Sequence, residues 1–203
     1  MGMGKRKIII ASASPRRKEL ARAMGLDFTV EPSSYEEDMG LKMRPGKLVM
    51  TLAYGKAVDV AKRHKDEIVI GADTVVAFRG KVLGKPKSQE EAYKMLKMLS
   101  GKMNVVYSGY AIIDCRTKKV YKGFDATKVY FKKLSDKEMW KYIKTGHAMD
   151  KAGAYGMQDL ASIFIKKIDG CYFNVLGLPI PKIYGDFQKM GVDIFLYERW
   201  RPE

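Results

Sequence analysis

Two serines and two arginines fall within six residues, Ser12-Ala13-Ser14-Pro15-Arg16-Arg17, where the short apolar run 8–11 gives way to a helix start. A strand feeding directly into a helix aims free backbone N–H groups and the positive end of the helix dipole at one spot, which suits a phosphate. Hydroxyl and guanidinium groups beside that spot strengthen the case. Ser14 fits the N-cap and Pro15 the first helical position, so the same residues would equally make a capped helix with solvated arginines. No Gly-x-x-x-x-Gly-Lys run is present, and the mechanics of a P-loop do not apply.

Carboxylates gather at two places. Asp73, in Gly71-Ala72-Asp73-Thr74, follows the apolar strand pattern Glu67-Ile68-Val69-Ile70. A carboxylate just beyond a strand end can point into a cleft, ligate a divalent metal, or take a proton from water attacking a phosphoryl group. It can also be an ordinary turn or helix cap. Glu36, Glu37 and Asp38 offer further hard oxygens, or form a solvated acidic run. Lys56 and Lys85 would bring compact positive charge to phosphates. Their plainer readings are a snorkelling side chain at the edge of an apolar helix face and simple solvent exposure. In Asp150-Lys151-Ala152-Gly153-Ala154-Tyr155-Gly156-Met157-Gln158, the glycines permit close backbone approach or unusual dihedrals, and Gln158 can both donate to and accept from a base edge. A structural turn explains those glycines about as well.

The elements that must position these groups follow from periodicity. Strand patterns cover 8–11, Phe28–Val30 and 67–70, separated by helices from Pro15 to near Met24 and over roughly 45–63. The second helix carries Val49, Leu52, Ala53, Ala57, Val60 and Ala61 on one side, with Lys56 the odd polar member of the stripe. Residues 75–78 and Lys81–Leu83 form a hairpin across Arg79-Gly80, and 105–114 pairs with 120–130. Ser88-x-x-Glu91 and Ser135-x-x-Glu138 are capping boxes before two further helices. A strand over 162–166 and a last helix after Pro181 complete the order. Strand–helix–strand–helix–strand followed by hairpins predicts an α/β fold with a mixed sheet, flanking helices and two lobes around a cleft. One domain over 1–203 is expected, since no linker or internal repeat interrupts the chain.

Composition narrows the function classes. The 203 residues include 38 Lys+Arg against 23 Asp+Glu, a formal charge of +15, which favours an anionic partner. The basic residues are spread along the chain without an arginine-rich tail, so a small polyphosphate is preferred to nucleic acid. Two cysteines are too few for a disulfide scaffold or a tetrathiolate zinc site, and because the two histidines lie far apart without a ligand-spaced cysteine partner, neither a zinc nor a Ser-His-Asp enzyme is expected. No secretory signal or membrane-length apolar run appears, and the cytoplasm is the expected compartment.

Taken in order, Ser12-x-Ser14-Pro15-Arg16-Arg17, Gly71-Ala72-Asp73-Thr74, Leu83-Gly84-Lys85-Pro86, Leu99-Ser100-Gly101, Asp150-Lys151-Ala152-Gly153-Ala154-Tyr155-Gly156 and Asn174-Val175-Leu176-Gly177-Leu178-Pro179 resemble the Maf/septum-formation family over about 7–190. The resemblance implies an elongated α/β fold similar to the inosine triphosphate pyrophosphatases, often homodimeric. It implies cleavage of nucleoside triphosphates to monophosphate and pyrophosphate with a divalent metal, Mg or Mn. Asp73 matches the family's catalytic base and Glu37 its other carboxylate, the two being the expected metal ligands. Ser12, Arg16, Arg17, Lys56 and Lys85 match the phosphate-side residues, and Gln158 the position that helps select the base. Arg16, Thr74 and Gln158 together resemble the dTTP- and UTP-hydrolysing subgroup, sometimes tolerant of CTP or modified pyrimidines. The 7-methyl-GTP subgroup has tryptophan, glutamine and glutamate there. Asp159 departs from a frequent glycine. The competing expectations are the same chemistry on 7-methyl-GTP or non-standard purines, and a non-catalytic nucleotide-binding protein linked to division.

Overall fold

Three consecutive buried isoleucines make strand β1 (Ile8–Ile10), as a run of β-branched residues should. The computed structural model containing it describes residues 5–38 and 42–197. Parallel strands flank β1 on both sides, β2 (Phe28–Val30) and β3 (Ile68–Phe78). Parallel neighbours require crossover connections, and helices α1 (Pro15–Ala23) and α2 (Pro45–Ala61) supply them. The last three residues of β3 pair antiparallel with β4 (Lys81–Leu83) across Arg79-Gly80, both at positive φ. Helix α3 (Gln89–Leu99) leads to β5 (Met103–Asp114) and β6 (Val120–Phe131). Helix α4 (Asp136–Lys144), β7 (Ile165–Asp169), α5 (Tyr172–Leu176) and α6 (Ile180–Lys189) follow. The strand order is β2-β1-β3-β5-β6-β7, with β4 beside β3 and β7 antiparallel to β6, so the sheet is mixed as expected.

The chain forms two compact units, one of residues 1–73, 108–125 and 177–203, the other of 74–107 and 126–176. Strands β3, β5 and β6 each begin in one unit and end in the other. In the first unit, Ile9, Val69, Ala111 and Ile113 of the strands pack with Ala57 and Val60 of α2. Two strand glycines set how close α2 lies. A Cβ on Gly71 would stand 2.2 Å from the carbonyl oxygen of Ala53, and one on Gly109 would stand 2.4 Å from the carbonyl carbon of Val49. The helix backbone therefore rests directly on the strands, as glycine inside a strand often permits. The second unit has its own core, built from Val76, Leu96, Leu99, Phe131, Met139, Ile143 and Phe164. Its helices α3 and α4 start on Ser88 and Ser135, whose side chains accept from the Glu91 and Glu138 N–H groups. No helix among the described residues is long and apolar enough to cross a membrane.

Three local expectations are corrected. Asp73 does not lie beyond a strand end but in the middle of the eleven-residue β3, because the apolar run continues past it through Val75 and Val76. Within the continuing strand, Gly71 makes room for α2 and Asp73 finds a partner on that helix. The strand expected over 162–166 starts only at Ile165, as β7, because 162–164 belong to a 3-10 turn, Leu160–Phe164. Asp159 caps that turn by accepting from the Ala161 N–H at 2.9 Å, a bond that favours a turn over an extended chain. Ser14 occupies the N-cap of α1 but makes no side-chain cap bond.

Candidate active site

Lys56 enters the first unit's polar site from the apolar face of α2. Its ammonium lies 2.7 Å from Asp73 Oδ1 and 2.7 Å from Glu37 Oε1. The side chains differ sharply in accessibility: Asp73 is 8% exposed, Lys56 12% and Glu37 42%. Burial pushes the Asp73 carboxyl above its usual range, against the pull of Lys56 and Arg17. The result is a carboxylate with raised proton affinity beside a more exposed one.

The start of α1 brings a second group of residues together. Arg17 Nη1 donates to the Ser12 hydroxyl oxygen at 3.2 Å, and the Ser14 N–H donates to the same oxygen at 3.3 Å. Arg17 Nε donates to the carbonyl of Gly177 at 3.0 Å. Burial lowers the Arg17 pKa; Asp73 raises it, Arg16 lowers it further and Glu37 raises it, and a guanidinium still keeps its charge. The electrostatic coupling ties the helix start to the carboxylate pair. Ser14 makes no side-chain cap bond, and the positive end of the α1 dipole lies beside these hydroxyl and guanidinium groups, an arrangement that suits an anion.

The remaining expected residues belong to the second unit. Thr74 begins it, immediately after Asp73 in β3. Lys85 is exposed just past β4, and the Gly153 N–H donates to the Gly84 carbonyl at 2.9 Å, so the two glycine-bearing motifs meet there. Gly153 has φ +69°, the left-handed conformation its position demanded. Gln158 is exposed between two 3-10 turns. Its neighbour Asp159 lies 3.1 Å from the buried Lys151 ammonium, which also donates to the His147 carbonyl at 2.6 Å. Lys151 and Asp159 thus anchor the segment that carries Gln158.

Sequence reasoning found Glu37, Lys56 and Asp73 but not the residues that steady them. Asp59 accepts from Ser33 and Ser34, and its position three residues after Lys56 was the available signal. The contact of Arg17 with Gly177 had no local signal, since 160 residues separate them.

A divalent cation of the Mg or Mn type fits these residues. Both carboxylate oxygens stand 2.7 Å from one ammonium nitrogen, so the two anionic groups already face one compact cationic group. Magnesium commonly takes only one or two protein carboxylates, the rest of its shell being water and substrate phosphate oxygens. Among the described residues no group of three or more His, Cys, Asp or Glu gathers in metal-holding geometry, so the protein's share of the shell would be this pair.

The Maf-like protein family model matches residues 7–190. A dTTP/UTP pyrophosphatase from Alkaliphilus oremlandii is 52% identical over 179 residues, covering 88% of this chain and 93% of that protein. Another from Thermoanaerobacter sp. is 49% identical over 191 residues, 94% and 99% of the two chains. A third, from Clostridium tetani, is 48% identical over 189 residues, 92% and 98%. Among solved structures, the Staphylococcus aureus Ham1 protein aligns with a TM-score of 0.45 at 14% identity, over 62% of this chain and 72% of that one. Matched along nearly its whole length by both the family model and these relatives, the chain belongs to the Maf-like family.

Proposed function

We propose that this chain hydrolyses dTTP and UTP to the nucleoside monophosphate and pyrophosphate. The observation that carries the reaction is the Glu37–Lys56–Asp73 cluster, in which one ammonium holds a buried and an exposed carboxylate side by side. The base preference rests on the relatives, which are dTTP/UTP pyrophosphatases at about half identity.

Asp73 takes the proton from the water that attacks the α-phosphorus, its burial having raised its proton affinity above that of an exposed carboxylate. The bond from the α-phosphorus to the bridging oxygen breaks, and pyrophosphate leaves with the electron pair. Arg16, Arg17, Lys56 and Lys85 stabilise the charge that builds on that leaving group, and the Ser12 hydroxyl orients a phosphate oxygen. A divalent cation held by Glu37 and Asp73 would neutralise phosphate charge and make the α-phosphorus a better electrophile. Arg16, Thr74 and Gln158 are assigned to base selection.

The test is turnover of dTTP, UTP, CTP, ATP, GTP, ITP and 7-methyl-GTP with Mg or Mn, resolving every phosphate product, alongside Asp73→Asn. Pyrophosphate from dTTP and UTP, abolished in a folded Asp73→Asn protein, is the expected result. Near-normal turnover by that variant would remove Asp73 from the mechanism.

A further inference from the structure

The acidic run containing Glu37 is tied to α2 by contacts that no assigned residue makes. Asp59 Oδ2 accepts from the Ser33 hydroxyl at 2.8 Å and from the Ser34 N–H at 2.9 Å. Both Asp59 oxygens lie 3.3 Å from the Ser34 hydroxyl. The Ser33 oxygen accepts in turn from the Tyr35 N–H at 3.0 Å. The Tyr35 ring then lies over Gly55, where a Cβ would stand 2.4 Å from it. Two residues further on, Glu37 meets Lys56. Residues 55, 56 and 59 follow the spacing of one helix face, so a single face of α2 holds the segment at two points and receives the carboxylate beside them.

These tethers answer a physical need. An ion pair alone fixes a side chain as exposed as Glu37 only weakly, because water and side-chain entropy compete with it. Hydrogen bonds from Ser33 and Ser34 to one carboxylate, and a ring seated on a glycine, restrict the backbone that leads into Glu37. A solvated acidic run would need neither.

We propose that Asp59 and Gly55 are positioning residues that, with Tyr35, fix the Glu37 carboxylate beside Asp73. The proposal rests on the reading of Glu37 and Asp73 as a cation-holding pair. Asp59 acts through the backbone of 33–35 and touches neither substrate nor cation. Gly55 acts by leaving room for the ring.

The experiment measures Mn²⁺ affinity by electron paramagnetic resonance, in the presence of a non-hydrolysable α,β-imido analogue of dTTP, so that turnover is not the readout. Asp59→Ala and Gly55→Ala should each weaken Mn²⁺ binding roughly tenfold, the usual loss when a group supporting a metal ligand is removed. Added to Glu37→Gln, Asp59→Ala should cause no further loss, because its effect passes through Glu37. Asp59→Asn keeps one acceptor oxygen and serves as the milder variant, with a smaller loss in the same direction. Unchanged Mn²⁺ affinity in Asp59→Ala and Gly55→Ala, with Glu37→Gln impaired, would overturn the clamp and leave the carboxylate pair standing. An equal further loss in the Glu37→Gln background would also overturn it. Wild-type Mn²⁺ affinity in Glu37→Gln would overturn the role of Glu37 and the clamp together.

Discussion

A methyl group on Gly71 has no room, and what it would displace is the spacing on which the carboxylate cluster depends. In Gly71→Ala the new Cβ would meet the Ala53 carbonyl oxygen at 2.2 Å, the Ala57 nitrogen at 2.8 Å and the Ala57 Cβ at 2.9 Å. The two nearest are backbone atoms, which cannot swing aside as a flexible side chain would. Restoring ordinary contact requires α2 and β3 to separate by roughly 1 Å, in an interior packed as densely as a crystal. Lys56 lies on α2 between Ala53 and Ala57, and Asp73 is two residues beyond Gly71, on the same face of β3. The separation therefore falls on the 2.7 Å bond between them. Overpacking of this kind costs about 1–3 kcal/mol of stability. A misplacement of about 1 Å at reacting groups can lower turnover by about 100-fold. The assay is pyrophosphate release from dTTP by the folded variant, paired with urea denaturation. Wild-type kcat with full stability would refute the idea that Gly71 sets this spacing. A loss of stability with kcat unchanged would show that the spacing is not used in catalysis.

Two further predictions concern stability. Burial alone would raise the Asp114 pKa, but hydrogen bonds from Arg6 and Thr117 overcome that and hold it well below the usual carboxylate range. Its contribution is therefore present above the ordinary value of about 4 and is lost as pH falls below it. Arg6→Met should cost about 3 kcal/mol at pH 7 by leaving a buried carboxylate without its partner, with a smaller deficit at pH 3. Urea titrations of both proteins at the two pH values check this, and a constant deficit would count against the pairing as its source. Gly185 sits inside α6 with nothing within 4 Å of where an added methyl group would stand, so Gly185→Ala should stabilise the chain by about 0.5–1 kcal/mol. A lowered urea midpoint would mean that the helix surface around Gly185 is already occupied.

Local patterns carried much of the fold. The isoleucines of β1, the proline at the start of α1 and the capping serines of α3 and α4 each act within a few residues, and each element stands where those signals put it. Lys56 was visible because it breaks an apolar stripe, and Glu37 and Asp73 because of their family pattern. That all three converge was not visible locally, since it depends on the register of α2 over β3. Residue type misled at Asp73, where glycine and aspartate suggested a strand end but a helix-borne ammonium allows the strand to continue. It misled again at 162–164, where the cap supplied by Asp159 favours a turn ahead of the strand. Arg17 and Gly177 illustrate the remaining limit, a hydrogen bond whose partners are brought together only by the completed fold.

Helix α2 has glycines on more than one side. Gly71 and Gly109 lie beneath it in the strands, while its own Gly46 and Gly55 receive the rings of Phe124 and Tyr35. Each glycine within a helix lowers its intrinsic stability by about 1 kcal/mol relative to alanine. Its N-cap, Arg44, adds no side-chain bond. A segment so composed has little reason to be helical by itself and draws its order from the rings and strands against it. Its amides should therefore exchange with solvent when the neighbouring strands open, and not by fraying from the helix ends. The cluster around Lys56 is then neither preformed in the unfolded chain nor separately lost from the folded one; it appears and vanishes with the cooperative unit to which α2 belongs.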